Sequence, residues 1–307
     1  MTVKESGLLG QSPELMRVLN AARMVACTGA NVLITGEIGS GKESLAREIH
    51  STSPRRDASF VSLDSALISE AMLESQLLGY AGHGPDEQQQ IRAAQGGTLF
   101  LNKIDELSVG AQARLLHFLE NRSGMGCLDV RIVAASSKDL YAQVQAGAFR
   151  EDLFFQLNVV PLDVPPLRER GDDVVLLLKR FTADYARSHG RRAPSYAMSV
   201  RRVLKSYRWP GNVKELRNFC ERMVILMPGK AIEVDNLPME IRRGPVTESA
   251  SNGFVLPQEG LDLTALEGSM IRQALGVSGG NRSKAARLLG LSRDTLLYRI
   301  QKHAIKI

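Results

Sequence analysis

Gly36, Gly41 and Lys42 stand in the order Gly-x4-Gly-Lys inside "NVLITGEIGSGKESLAREIH", after an apolar run and before an amphipathic one. Such a segment makes a phosphate loop. Glycines let successive backbone N–H groups fold around phosphate oxygens, Lys42 reaches the terminal phosphates, and the following helix presents its positive end. Glu37, Gly39, Ser40 and Glu43 complete the candidate nucleotide-binding set. A Ser or Thr after the lysine would ligate magnesium, but this chain has Glu43 there. The expected ligand is therefore ATP or ADP, with magnesium held weakly if at all. Three fixed residues can also form a purely structural glycine turn; the strand–loop–helix setting is what favours phosphate.

A second stretch, "GGTLFLNKIDEL" (96–107), is an apolar strand ending in Asn102 and Lys103. A nucleotide-hydrolysing sheet carries acids at that point. An amide offers a carbonyl oxygen without charge, and an ammonium cannot accept a proton from water. Asp105 and Glu106 follow, but bringing them to the strand end needs a three-residue slip. An odd slip turns the buried face of "TLFL" outward, so none is expected.

These residues need a sheet to hold them. "NVLIT" (31–35), "FVSL" (60–63), "TLFL" (98–101) and "VRIVAAS" (130–136) read as buried strands of a parallel sheet. Helical periods at 41–50 and 108–120 lie between them, so residues 1–170 form an α/β nucleotide-binding subdomain. From 171 to 243 the strand pattern stops and helical periods take over, punctuated by "WPGN" (209–212), giving a small helical subdomain. Residues 244–260 are rich in Ser, Gly and Pro without apolar period and read as a linker, and 261–307 returns to strong helical patterning.

With 44% hydrophobic and 23% charged residues, the 307-residue chain has an ordinary globular composition. No apolar run approaches a membrane span and "MTVKESGLLG" lacks the pattern of a leader, so a cytoplasmic protein without membrane contact is expected. Cys27, Cys127 and Cys220 are odd in number and widely spaced, which fits reduced thiols, and no Cys/His cluster has zinc spacing, so no metal is assigned. Most of the +6 net charge sits in residues 261–307, where eight Lys/Arg face three acids. A basic terminal module points to nucleic acid more than to a merely solvated face.

"GEIGSGKES", "ESQLLGY" (74–80), "GGTLFL" (96–101), "DVRIVAAS" (129–136), "FREDLFFQLNVVPLDVPPLRERGDD" (149–173) and "WPGNVKELRN" (209–218) follow one another along the chain. In that order they resemble the AAA+ activators of sigma-54 RNA polymerase, the bacterial enhancer-binding proteins. The resemblance covers almost the whole chain. It implies an α/β AAA+ P-loop parallel sheet with a helical lid, followed by an all-α Fis-type helix-turn-helix. It also implies a palindromic DNA operator, RNA polymerase as a partner and a homo-oligomer, at least a dimer through the terminal module. Most members carry a sensory domain ahead of this block; about eight residues precede it here.

Departures from the family cluster on chemistry. The family ends the "TLFL" strand in an Asp that holds magnesium and a Glu that orients the attacking water; here these are Asn102 and Lys103. Asp64 stands where an Asn holds the catalytic Glu. Of two arginines that reach a neighbouring subunit's phosphates, Arg150 remains and Gln156 replaces the other. Ser137 replaces the sensor Asn, and Lys214 replaces the lid Arg that touches the γ-phosphate, keeping charge but losing the fork geometry. The GAFTGA loop that contacts sigma-54 is missing from "YAGHGPDEQQQIRAAQ" (80–95), and "NRSGMGCL" (121–128) is contracted. Asp64 and Lys103 are changed in opposite charge sense at neighbouring strand ends, which predicts a direct ion pair between them.

The segment 263–305 resembles the Fis-type helix-turn-helix over its full length. Leu263, Leu266, Met270 and Ala274 line one face of a first helix, which in this class pairs with its copy. A positioning helix spans 283–290 with Gly290 in the turn, and Ser292 caps a recognition helix at 293–303. Its outward residues are Arg293, Asp294, Thr295, Tyr298, Arg299 and Lys302; Arg293 and Thr295 are assigned to base edges or nearby phosphates, and Arg299, Lys302 and Arg282 to the DNA backbone. Three readings of the whole then compete. One is a DNA-binding regulator whose AAA+ domain binds nucleotide without efficient hydrolysis, acting without sigma-54 remodelling or beside an active relative as a hetero-oligomer. Another is a working ATP-hydrolysing sigma-54 activator. The last makes the pocket a sensor of a different nucleotide, such as a cyclic dinucleotide.

Overall fold

The computed structural model describes residues 8–71, 73, 91–120, 129–242, 262–303 and 305. It forms two compact units, Met1–Pro245 and Val246–Ile307. Most of the 80–95 segment, all of 121–128 and the expected linker 244–260 lie outside the described residues.

The first unit opens with α1 (Pro13–Ala26), β1 (Val32–Thr35), α2 (Lys42–Ser51), β2 (Phe60–Asp64), β3 (Thr98–Asn102) and α3 (Val109–Glu120). It continues with β4 (Arg131–Ser136), α4 (Leu140–Gln145), α5 (Glu151–Leu157) and β5 (Val160–Asp163). The strands form one parallel sheet in the order β2-β3-β4-β1-β5. Alternating side chains feed two cores. Leu33, Leu99, Leu101, Ile132 and Ala134 pack with α3 and α5, while Ile34, Phe100, Val133 and Ala135 pack with α1 and α2. Asp64 pairs in register with Asn102, and Asn102 with Ala135, so β3 is unslipped. The reason differs from the one expected. Both faces of β3 are buried, and a slip would exchange Leu99 and Leu101 with Phe100 between cores rather than expose them.

β5 is a strand that the apolar pattern did not reveal, because Pro161 interrupts it. Proline has no N–H for a ladder, and it is tolerated here because β5 is the sheet's edge beside β1. The helical continuation holds α6 (Asp173–Ser188), α7 (Met198–Ser206), α8 (Asn212–Leu226) and α9 (Met239–Arg242). It is not wholly helical, as the pattern suggested: β6 (Ser195–Tyr196) and β7 (Ala231–Ile232) form a short parallel ladder. Trp209 is fully buried at its centre, its indole N–H donating to the Leu204 carbonyl at 2.9 Å.

In the second unit, α10 (Leu263–Val277), α11 (Arg282–Leu288) and α12 (Arg293–Lys302) enclose Ile271, Ala274, Leu275, Ala285, Ala286, Leu296 and Ile300. Asp262, Asn281 and Ser292 cap the three helices through side-chain oxygens. Gly290, at φ 65°, turns the chain between α11 and α12. Ala274, expected on the self-pairing face, belongs instead to this internal core. Of the other residues expected there, Leu263 and Met270 are exposed and Leu266 is partly covered; Val277, not foreseen, extends Leu263 and Met270 into an exposed stripe at seven-residue spacing. Among the described residues no helix is long and apolar enough to cross a membrane.

Candidate functional site

β1 delivers the loop 36–41 to the carboxyl end of the sheet, the usual ligand side of a parallel sheet. The lid holds the loop in place. Arg168 grips the Glu37 carboxylate with both amino groups at 2.8 Å, and Asn212 Nδ2 donates to the same carboxylate at 3.0 Å and to the Ile38 carbonyl at 3.0 Å. The Arg168 hydrogen bond, helped by Asn212, holds the Glu37 carboxyl below its usual range. Val213 N–H donates to the Gly39 carbonyl at 3.0 Å. Gly39 has φ 75°, and a Cβ there would lie 2.3 Å from the Gly211 carbonyl oxygen, so glycine is required where lid and loop touch. Fully buried Arg170 donates to the Ser40 and Pro165 carbonyls, and burial pulls its pKa down to about 10.

Lys42 spans the loop mouth, its ammonium donating to the Gly36 carbonyl at 2.7 Å and the Glu37 carbonyl at 3.0 Å. Burial lowers its pKa, an effect that Asp105 and Glu37 oppose. The Ser40 hydroxyl is buried, with no hydrogen-bond partner among the described residues. An orphaned donor and a cationic ammonium on one glycine loop are what a nucleotide's phosphates would satisfy, so these residues fit that group. Lys214 is exposed beside Gly39, in reach of the same loop. The Glu43 side chain pairs with Arg47 at 2.7 Å along α2. Among the described residues no three His, Cys, Asp or Glu gather as a metal cluster.

At the end of β3, Lys103 Nζ lies 2.9 Å from Asp64 and 3.6 Å from Glu106. The expected ion pair is formed, and the Asp64 hydrogen bond raises the Lys103 pKa. The two side chains are 45% and 33% exposed, so water screens the pair. Exposed pairs contribute little to stability. Asp64→Asn is therefore expected to leave the urea midpoint close to wild type, and a large drop in that midpoint would show that the charge is far more enclosed than its exposure implies.

Asp105 is the residue that reading the sequence missed. Without any slip of β3, a short turn at 104–106 buries Ile104 and carries Asp105 back against the end of β4. Its carboxylate is 1% exposed, 2.8 Å from the Ser136 hydroxyl and 3.3 Å from Lys138 Nζ. Lys103, at φ 55°, sits in the left-handed region and makes this reversal. The available signal was Ile104, an apolar residue that must return to the core directly after a polar pair.

Other expected residues are spread around this centre. Arg150 is exposed and paired with Asp152 at 2.6 Å, and Gln156 is exposed one helical turn further on. Ser137 lies on a cavity of about 500 Å³ together with Gly36, Glu37, Lys138 and Asp163. In the second unit Arg282, Ser292, Arg293, Asp294, Tyr298 and Lys302 are exposed, and Thr295 is partly covered beside the Ser292 cap. Arg299, assigned to the DNA backbone, is ion-paired with Glu267 of α10, which also accepts from His303 at 3.0 Å.

Known proteins share this arrangement. Residues 8–163 match the family described as the sigma-54 interaction domain, 168–253 the AAA+ ATPase lid domain, and 263–303 the bacterial regulatory protein, Fis family. The chain belongs to the sigma-54 interaction family. It is 37% identical to the transcriptional regulatory protein ZraR of Escherichia coli K12, across 98% of this chain and 70% of ZraR. With the alginate biosynthesis transcriptional regulatory protein AlgB of Pseudomonas aeruginosa the identity is 38%, across 96% and 67%. The crystal structure of NtrX from Brucella abortus in complex with ADP superposes with TM-score 0.68 at 28% identity, covering 97% of this chain and 69% of NtrX. This sigma-54-family regulator thus joins an AAA+ sheet and lid to a Fis-type helix-turn-helix.

Proposed function

We propose that this sigma-54-family transcription regulator binds ATP or ADP in the loop 36–42 and DNA through the 261–307 module, without efficient hydrolysis. The observation that carries the proposal is the end of β3. Asn102 supplies no charge there, and Lys103, tied to Asp64, leaves no base to orient a water. Nucleotide would then set the shape and assembly of the AAA+ unit. Structures of NtrX with ADP and with ATP support a nucleotide ligand. The sequence at 80–95 carries no GAFTGA, which favours regulation without remodelling of sigma-54, or beside an active relative. The exposed stripe of Leu263, Met270 and Val277 supports a dimer on a palindromic operator.

One observation favours the competing reading of a working ATPase: Asp105 places a carboxylate at the same strand end. Calorimetry and steady-state phosphate release separate the two. Wild-type protein is expected to bind ATP and ADP with little dependence on magnesium, Lys42→Ala to abolish binding, and turnover to stay at background. A rate of about one per second, ordinary for an enzyme, that disappears with Lys42→Ala would establish the ATPase instead.

A further inference from the structure

Lys138 is placed between two anions, one present in the protein and one that a nucleotide would bring. It follows β4 directly, its side chain is 58% exposed, and its ammonium lies 3.3 Å from the buried Asp105 carboxylate. Ser136 fixes both ends of this contact: its hydroxyl is 2.8 Å from Asp105 Oδ1 and accepts the Lys138 backbone N–H at 3.0 Å. On its open side Lys138 lines the 500 Å³ cavity that also meets Gly36 and Glu37 of the loop. Lys42 feels the charge of the same Asp105. A carboxylate in contact with one ammonium and within the field of a second, on a cavity that reaches the glycine loop, has the charge setting of a terminal phosphate.

We propose that Lys138 is the group by which this site distinguishes a nucleoside triphosphate from a diphosphate, and that Asp105 holds it when no nucleotide is bound. The inference rests on the nucleotide reading above. A diphosphate ends at the loop. A triphosphate extends toward the carboxyl ends of β3 and β4 and adds charge there. Lysine suits the exchange, because its ammonium is a point charge on a flexible stem and needs no fixed fork geometry. Asp105 tolerates losing it, because the Ser136 hydroxyl and the nearby Lys42 remain. Ser137 offers only a short hydroxyl at the neighbouring position, so Lys138 is the longer cationic reach from the end of β4.

The test is calorimetric binding of ATP, a non-hydrolysable ATP analogue and ADP to the full chain and to Lys138→Ala, Lys138→Arg and Asp105→Asn. A charge-assisted hydrogen bond at a partly exposed site predicts about tenfold weaker triphosphate binding for Lys138→Ala, with ADP within about twofold of wild type. Lys138→Arg should keep the preference, and Asp105→Asn should raise it, since the ammonium is then free for phosphate. Equal ATP and ADP losses in Lys138→Ala, or none, overturn the role of Lys138 even if Asp105→Asn fails to fold. Wild-type protein that binds neither nucleotide overturns the nucleotide reading itself, and this inference with it.

Discussion

Asn102→Asp, Lys103→Glu and Asp64→Asn together are expected to give measurable ATP turnover, whereas Lys103→Glu alone is expected to give none. A positioned general base contributes about 10²–10⁴-fold in rate, so the triple variant should exceed wild type by about two orders of magnitude or more. The single change fails for an electrostatic reason visible in the structure. Lys103 now sits 2.9 Å from Asp64 and 3.6 Å from Glu106, and a glutamate in its place would face both carboxylates. Like charges at that range raise one another's pKa or push the side chains apart, and neither outcome leaves a base aimed at water. Asp64→Asn removes the nearer repulsion and supplies an amide to hold the new carboxylate; Asn102→Asp restores charge for magnesium. Phosphate release by the full chain reads the result. A Lys103→Glu protein as fast as the triple variant would mean that the Asp64 pair is not what blocks hydrolysis.

The elements that position this site were legible because their signals are local. Glycine spacing placed the loop, apolar runs placed four strands, and turn residues placed the lid and the terminal helices. The Asp64–Lys103 pair could be read because two strand ends, each located by its own apolar run, lie in register in a parallel sheet. What stayed hidden depends on backbone reversals and on partners distant in sequence. β5 was masked by Pro161, tolerable only at an edge that the sequence does not mark. Asp105 was set aside on strand periodicity, which is silent about a turn that begins where the strand stops. Nor does any pattern announce that Glu37 would meet Arg168 and Asn212, since those contacts exist only once the lid folds against the loop. Arg299 was assigned by the outward face of a single helix, and Glu267 lies on another.

That last pairing sharpens what DNA binding should look like. A symmetric dimer of this module would set two copies of α12 in successive major grooves, roughly 34 Å apart. Arg293 stands exposed in the first turn of α12, the part of a recognition helix that meets base edges. Arg293→Ala is expected to cost about 1–3 kcal/mol at the operator and to relax specificity at one base pair. Lys302, exposed in the last turn, is the residue expected to meet a phosphate. Lys302→Ala should weaken all sequences alike and reduce the slope of log affinity against log salt by about one unit. Arg299 separates a phosphate contact from an internal one. Its charge is already matched by Glu267 within the three-helix unit, so Arg299→Ala should leave the salt slope near wild type and instead loosen α12 against α10. Fluorescence anisotropy across a salt series, with operator and scrambled duplexes, measures all three. Unchanged affinity in both Arg293→Ala and Lys302→Ala would remove α12 from the interface, and a full unit of slope lost in Arg299→Ala would show that Glu267 releases it to the DNA.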